Sequence, residues 1–472
     1  MPTFLSRFSP YFLIIWLMIV FLGLFLVKDH ATRCGIETSR LAVIESIADR
    51  GETFIDNSIF ETPDKVEIDS HYYGDKPPLL VMAATAWYGF LKMLGISFAQ
   101  NQEIAIWAVN GLFFLLTLLI APCFYLQLKN LSPKSPDSYC ANMAILAVCS
   151  TLVLSYSVTL NNHTICALLL LLLQFLLMRS EKNCSPRNAF LAGILTGTIF
   201  NLDFVIGGVF GISVSLFYST QKLDFRLKLR CLSVYATGAI ALLLIEAFMN
   251  YCIYASPLPL YLISHKPAIF SKNVFWYGFH VLFGFKGFFL FMPALLFFVC
   301  PLCSPRFRKN GAFLCFSVSL LATVVLYICG TSDFGGWCYG YRFLIPFAPA
   351  MLLWIALFFG KPRRLVFYRF FRACLAIGVL VALLGTCNPW NAGYEGSSTP
   401  KGALPNHFKN SFLANSYVFL WEHAPDSFLT SFFQKTWYGY DVSMLYLLME
   451  FNNRNDKEML RFLLDKQKDS TQ

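Results

Sequence analysis

"HYYGDKPPLL", residues 71–80, sets an acid, a base and two prolines directly before an apolar run, in a 472-residue chain that is 57% hydrophobic and only 14% charged. A residue before proline is pushed out of the helical region, so Lys76 is expected to be extended. Pro77 and Pro78 suit the first turn of a helix that continues through the apolar run 79–97. The unpaired N–H groups at the start of such a helix, carrying the positive end of its dipole, face Asp75 and Lys76 and favour an anion such as a phosphate. The plainer account of the same residues is that Asp75 caps the helix and Lys76 snorkels to lipid headgroups.

The rest of the chain decides what kind of protein holds this stretch. Long apolar runs recur at 10–28, 103–127, 141–159, 163–178, 188–203, 204–218, 231–254, 286–303, 311–329, 343–360 and 371–387. A spanning helix needs about 20 such residues, which predicts an all-α polytopic membrane protein of about eleven transmembrane helices. Short cytoplasmic loops retain Lys and Arg. The basic groups Lys129 and Lys134; Arg179, Lys182 and Arg187; Lys222, Arg226, Lys228 and Arg230; Arg306, Arg308 and Lys309; and Lys361, Arg363, Arg364, Arg369 and Arg372 all fall in alternate loops. The loops at 160–162, at Asp203 and at 331–342 carry almost no Lys or Arg apart from Arg342, and are expected to face outward.

This parity leaves no room for a full span at 79–97. The run is expected to be a re-entrant or interfacial helix on the outer face. Residues 1–387 then form one transmembrane unit, with 29–100 as its first outer loop carrying short interfacial helices, and 388–472 a small C-terminal outer lobe of amphipathic helices. The first span follows Arg7 and has no clear cleavage site, so it is expected to stay as an anchor.

The formal charge of +10 is accounted for by the loop bias, which argues against nucleic acid as a partner. Most of the fifteen cysteines lie within spans, where Cys acts as a small apolar residue; Cys34, Cys338 and Cys387 fall on the expected outer side. The absence of Walker, GxGxxG, HExxH and GxSxG signatures removes support for ATP-driven transport and serine hydrolysis.

Within the first outer loop, Leu41, Ile44, Ile47 and Ala48 recur at helical spacing and Gly51 supplies a stop. Glu37 and Arg40 share one side of that helix's first turn. The pair Glu37/Arg40, followed later in the loop by Asp75-Lys76-Pro77-Pro78, resembles the integral-membrane GT-C glycosyltransferases. Lipid A aminoarabinose transferases and protein O-mannosyltransferases carry a similar Asp-Glu-x-Arg and Glu-Lys-Pro-Pro pattern. "YGYRFLIPFAPAMLL" at 339–353 is similar to the Gly-x-Arg segment with which many such proteins re-enter the membrane. "NYCIYASPL" at 250–258 and "GFKGFFLFMPALL" at 284–296 fit the same broad pattern, so the resemblance covers roughly 10–387. Glu37-Thr38 departs from the Asp-Glu of those families by one methylene and one missing acid.

The resemblance implies transfer of a sugar from a polyprenyl-phosphate carrier to a lipid, glycan or protein acceptor at the periplasmic face of a bacterial-type inner membrane. A phosphate leaving group needs fixed positive donors, and Arg40, Lys76 and Arg342 are the candidates. The acceptor must lose a proton to a general base. Glu37 is the first candidate and Asp75 the second, Asp75 being alternatively a metal ligand or the partner that orients Lys76. An inverting displacement with a ready leaving group needs one base, not two. Asn161, Asn162, His163 and Asp203, polar residues at outer turns between apolar helices, are candidates for lining the cavity with Tyr339 and Tyr341. A divalent metal is the cofactor to consider, held by Asp75 with His265 or His280; no other cofactor is implied. The competing readings are a polymerase or ligase using lipid pyrophosphate donors, and a secondary transporter or lipid flippase, which would show inverted repeats and broken spans with midplane charges.

Overall fold

Inside a bilayer, uninterrupted apolar sequence can satisfy its own backbone only as a helix or a closed barrel. The computed structural model describes residues 4–31, 35–260, 274–284, 286–331, 334–336, 338–360 and 365–390, and these are overwhelmingly helical. The order is α1 (Pro10–Leu24), α2 (Gly35–Glu45), the hairpin β1 (Lys65–Ile68) and β2 (His71–Gly74), α3 (Pro78–Met93), α4 (Gln102–Leu118), α5 (Ile120–Leu131), α6 (Asp137–Cys149), α7 (Leu152–Ser157), α8 (Asn162–Lys182), α9 (Pro186–Leu202), α10 (Phe204–Thr220) and α11 (Phe225–Tyr254). There follow α12 (Val274–Phe283), α13 (Phe288–Phe291), a 3-10 helix (Pro293–Phe298), α14 (Val299–Cys303), α15 (Pro305–Arg308), α16 (Gly311–Gly330), a second 3-10 helix (Arg342–Phe347), α17 (Ala348–Phe359) and α18 (Leu365–Cys387).

Among the described residues, seven helical stretches are long and apolar enough to cross a membrane: Gln102–Leu131, Asn162–Lys182, Phe225–Tyr254, Val274–Phe291, Gly311–Gly330, Arg342–Phe359 and Val366–Cys387. Pro10–Leu24, Asp137–Cys149, Phe204–Thr220 and Pro293–Cys303 are shorter apolar helices. Large apolar side chains such as Phe25, Ile212, Leu216, Phe248 and Leu321 point outward, as they do where the solvent is hydrocarbon.

Several expected spans are broken, each with a local cause. Pro122 has no N–H to offer the Leu118 carbonyl four residues back, so the run 103–127 divides into α4 and α5. The carbonyl so released accepts the indole N–H of Trp16 from α1 at 3.1 Å. The run 141–159 divides at Ser150 and Thr151, whose hydroxyls bond back to the carbonyls of Leu146 and Ala147. Pro293, inside the run 286–303, and Pro346, near the start of the run 343–360, fall in 3-10 turns. The expected loop 255–285 is in part helical, because "VFWYGFHVLF" is uncharged and aromatic-rich and forms α12.

The segment 29–100 also holds a hairpin. Lys65-Val66-Glu67-Ile68 alternates and pairs antiparallel with 71–74, through a turn in which Asp69 and Ser70 both have positive φ. Alternation over so short a run, bounded by turn residues, favours a hairpin. α2 continues into a π-helical turn that Gly51 ends in the left-handed conformation. α3 starts at Pro78 and has 16 residues, about 24 Å, short of the roughly 30 Å hydrocarbon core. It is fixed to the end of α2 by Lys92, 2.7 Å from Asp49, and by the Tyr88 hydroxyl, which donates to the same carboxylate at 2.9 Å.

α9 and α11 cross closely, since a Cβ on Gly193 would lie 2.1 Å from the Tyr235 carbonyl oxygen. They also run in the same direction, for Gly197 meets the Ala239 carbonyl and Asn201 donates to the Leu242 carbonyl at 3.0 Å. α11 therefore outruns α9, which ends at Leu202, and its last turns reach α3.

Candidate functional site

α2 buries Leu41, Ala42 and Ile44, and its inward face also takes Glu37 and Arg40 out of solvent. A buried guanidinium needs fixed acceptors. Nη1 of Arg40 donates to the Leu160 carbonyl at 2.9 Å and Nη2 to Asn162 Oδ1 at 2.7 Å. Both acceptors lie in the tight turn into α8, where the Asn161 side chain caps the helix by accepting from the His163 amide at 2.6 Å. The other end of the Asn162 carboxamide donates to the Leu202 carbonyl at 2.8 Å, satisfying an orphan oxygen at the end of α9. Glu37 is fully buried, and Asn110 of α4 uses one Nδ2 to reach both the Lys28 carbonyl (3.0 Å) and Glu37 Oε1 (3.3 Å).

The chain of contacts continues beyond α9. Asp203 caps α10 by accepting from the Ile206 amide at 3.2 Å, and its two oxygens accept the Tyr327 hydroxyl at 2.7 and 2.9 Å. His163 Nδ1 lies 3.5 Å from the same carboxylate. The Tyr327 ring stacks on Phe343 at 5.0 Å, and the Arg342 guanidinium sits 5.1 Å over Phe343 and 5.4 Å from the Trp390 ring. Arg40, Asn162, His163, Asp203 and Arg342 thus belong to one connected set of side chains at one end of the bundle.

Lys76 approaches from the other side. α3 begins at Pro78, with Pro77 as its N-cap and no side-chain capping bond, so Asp75 does not cap it. Asp75 Oδ2 instead lies 2.8 Å from Lys76 Nζ, which also reaches Asp64 Oδ2 at 3.0 Å. Asp75 Oδ1 is buried without a hydrogen-bond partner among the described residues. Gly74 allows β2 to lie on α2, since a Cβ there would be 2.6 Å from Val43 Cγ2 and 3.1 Å from Ser39 Oγ. The Tyr254 hydroxyl donates to the Gly74 carbonyl at 3.0 Å and ties the end of α11 to the same place.

These elements frame a small cleft lined by Ser39, Arg40 and Val43 of α2, by Gly74, Lys76, Pro78, Val81 and Met82, and by Ile253 and Tyr254 of α11. Two of the residues proposed from the sequence as phosphate-binding, Arg40 and Lys76, line one space. Glu37 and Arg342 do not line it, and neither do the tyrosines of 339–341. Tyr339 is fully buried, donates to the Val381 carbonyl at 2.8 Å and packs edge-on against Phe291; Tyr341 packs edge-on against Phe343.

Of the two histidines considered as metal ligands, His265 lies outside the described residues, and His280 packs against Trp276 and Phe334. Among the described residues, no three His, Cys, Asp or Glu side chains gather as a metal site. Cys34 and the expected lobe beyond residue 390 also lie outside the described residues. On the surface of the segment between α2 and α3, burial alone would push the Asp56 carboxyl up, but the His71 ring and the Tyr72 amide outweigh it and hold it below the ordinary carboxylate value. Glu45 pairs with Arg50, not with Arg40.

Asn110, Tyr327 and Tyr254 escaped the sequence reading. Their signal was available in principle, as polar groups embedded in apolar runs.

No family model and no curated protein matches the chain. Among solved structures it is similar to ArnT from Cupriavidus metallidurans. The apo form has a TM-score of 0.54 at 16% identity, over 94% of this chain and 73% of that one. The form bound to undecaprenyl phosphate has a TM-score of 0.53 at 13% identity, over 87% and 69%. The apo oligosaccharyltransferase of Archaeoglobus fulgidus is matched at a TM-score of 0.42 and 12% identity, over 89% and 59%. The chain therefore shares the polytopic, predominantly helical fold of ArnT.

Proposed function

We propose that the protein is a membrane glycosyltransferase that takes a sugar from a polyprenyl-phosphate carrier and passes it to an acceptor at the periplasmic face of a bacterial inner membrane. The observation that carries this is the convergence of Arg40 and Lys76, from separate parts of the outer loop, on the cleft between α2, α3 and α11. As the bond from sugar to phosphate breaks, negative charge gathers on the phosphate, and positive groups fixed beforehand stabilise that state without reorganising. Arg40 is such a group, because the Leu160 carbonyl and Asn162 already hold its fork. Lys76 is a more mobile point charge that exchanges its contact with Asp64 for the phosphate.

The carrier's apolar tail lies along hydrocarbon beside α11, whose outer face presents Leu244, Phe248 and Tyr251. Solution of ArnT with undecaprenyl phosphate supports this class of carrier. Glu37 is the proton acceptor, oriented by the neutral carboxamide of Asn110, and Asp75 orients Lys76. Since Glu37 is fully buried in this arrangement, the acceptor reaches it only when α2 and its neighbours part. The acceptor is a hydroxyl or phosphate on a lipid, glycan or protein.

The test is label transfer from polyprenyl-phosphate sugars by purified protein. Lys76→Ala and Arg40→Ala should slow transfer by weakening donor engagement, and Glu37→Gln should abolish it with donor affinity kept. Full activity in Lys76→Ala and Glu37→Gln together would sink the assignment.

A further inference from the structure

We propose that Glu246 and Asn250 of α11 form the subsite that receives the hydroxylated sugar ring of the donor, directly below the cleft that holds its phosphate. The inference rests on the lipid-phosphate reading of that cleft and adds the side chains that recognise the sugar.

α11 is largely exposed to hydrocarbon, and its buried positions are few: Cys231, Tyr235, Gly238, Glu246 and Asn250. These recur at helical spacing and form one inward stripe. In its first half the stripe is small or aromatic and packs on α9 around Gly193 and Gly197. Contact with α9 stops soon after Asn201 meets Leu242, because α9 ends at Leu202. Glu246 and Asn250 are one and two turns further on, where the stripe has left α9 and rises toward α3. Positions 246, 250, 253 and 254 fall on the same helical face, and Ile253 and Tyr254 line the cleft. Asn250 therefore sits about one turn, roughly 6 Å, below the cleft wall, and Glu246 about one turn deeper.

Leucine at both positions would complete an ordinary apolar stripe. A carboxyl and a carboxamide at membrane depth instead cost free energy unless something bonds to them. Both residues are more than nine-tenths buried. Among the described residues, Glu246 Oε2 and both polar atoms of the Asn250 side chain have no hydrogen-bond partner. Together they offer two kinds of acceptor and one donor, the set that matches ring hydroxyls, or a hydroxyl and an amine. A prenyl chain could use none of these groups, and a phosphate would find no fixed positive charge there. The neutral, hydrogen-bonding part of the donor is what fits.

The test compares binding of undecaprenyl phosphate with binding of the same lipid carrying glucose or an aminopentose, using purified full-length protein. Glu246→Gln and Asn250→Leu should bind the bare lipid phosphate as the wild type does, and the glycosylated lipid about tenfold or more weakly, as expected for loss of hydrogen bonds to a buried carboxylate or amide. The same variants should raise KM for the donor. Asn250→Ala, smaller and uncharged, keeps the test available where the leucine variant fails to fold. Equal loss of both lipids would mark the two residues as structural, and unchanged binding of both would mark them as idle; either result overturns the proposal. Wild-type protein that binds neither lipid overturns the phosphate assignment itself, a different failure.

Discussion

Replacing Lys76 with alanine removes an ammonium held 2.8 Å from Asp75 and 3.0 Å from Asp64. A hydrogen bond to a charged group contributes about 1.5–3 kcal/mol, so loss of the phosphate contact alone should weaken Kd for undecaprenyl phosphate roughly 10- to 150-fold. Alanine has a second effect, because it strands two carboxylates beside the incoming anion. At a separation of about 6 Å and an effective dielectric of about 20, each contributes up to about 3 kcal/mol of repulsion. Asp64 is partly exposed, so salt reduces its share. Adding Asp64→Asn to Lys76→Ala should therefore recover part of the lost affinity, and recover more at low ionic strength than at high. Binding of a fluorescent undecaprenyl phosphate to the protein in nanodiscs, at two salt concentrations, measures all of this. Lys76→Ala within twofold of wild type would refute the reasoning, as would a double variant no tighter than the single one.

Other outcomes follow from neighbouring geometry. Arg40→Lys replaces a fork that meets the Leu160 carbonyl and Asn162 Oδ1 from two nitrogens with one shorter-reaching ammonium, and should cost about 1.5–3 kcal/mol; thermal unfolding in detergent should show a loss that shrinks when Asn162 is already alanine. Gly74→Ala drives a methyl against Val43 and should cost about 1–3 kcal/mol through overpacking, lowering phosphate affinity with every charge left in place. Asp56 has a folded pKa held below the ordinary value. Its contribution to the hairpin is present above the ordinary carboxylate pKa and is lost as pH falls through the lower, folded one. The protection factor of the Tyr72 amide, its exchange corrected for the intrinsic pH dependence, should fall over that acidic window, and Asp56→Asn should abolish that fall.

The features legible in the sequence are those set by local chemistry. Pro77 and Pro78 announce the start of α3, and Gly51 the end of the helical run from α2, because each acts on its own backbone. The convergence of Arg40 and Lys76 was legible as motif and parity, but not as geometry, since it depends on Gly74 letting β2 rest on Ser39 and Val43. The interruptions at Leu119 and Ser150 were hidden because hydropathy averages over a proline or a back-bonding hydroxyl. Asn110, Tyr327, Glu246 and Asn250 were hidden for a related reason. One polar residue barely changes the mean of an apolar window, yet at membrane depth it is the costliest group in the helix.

The measurement that bears most directly on the central claim is turnover of a labelled polyprenyl-phosphate sugar by the purified protein with membrane acceptors supplied. The account predicts that wild type releases bare polyprenyl phosphate and moves the label to an acceptor, while Glu37→Gln binds the donor and leaves the label on the lipid. Label that stays on every donor offered to the wild type, or transfer by Glu37→Gln at the wild-type rate, would contradict it.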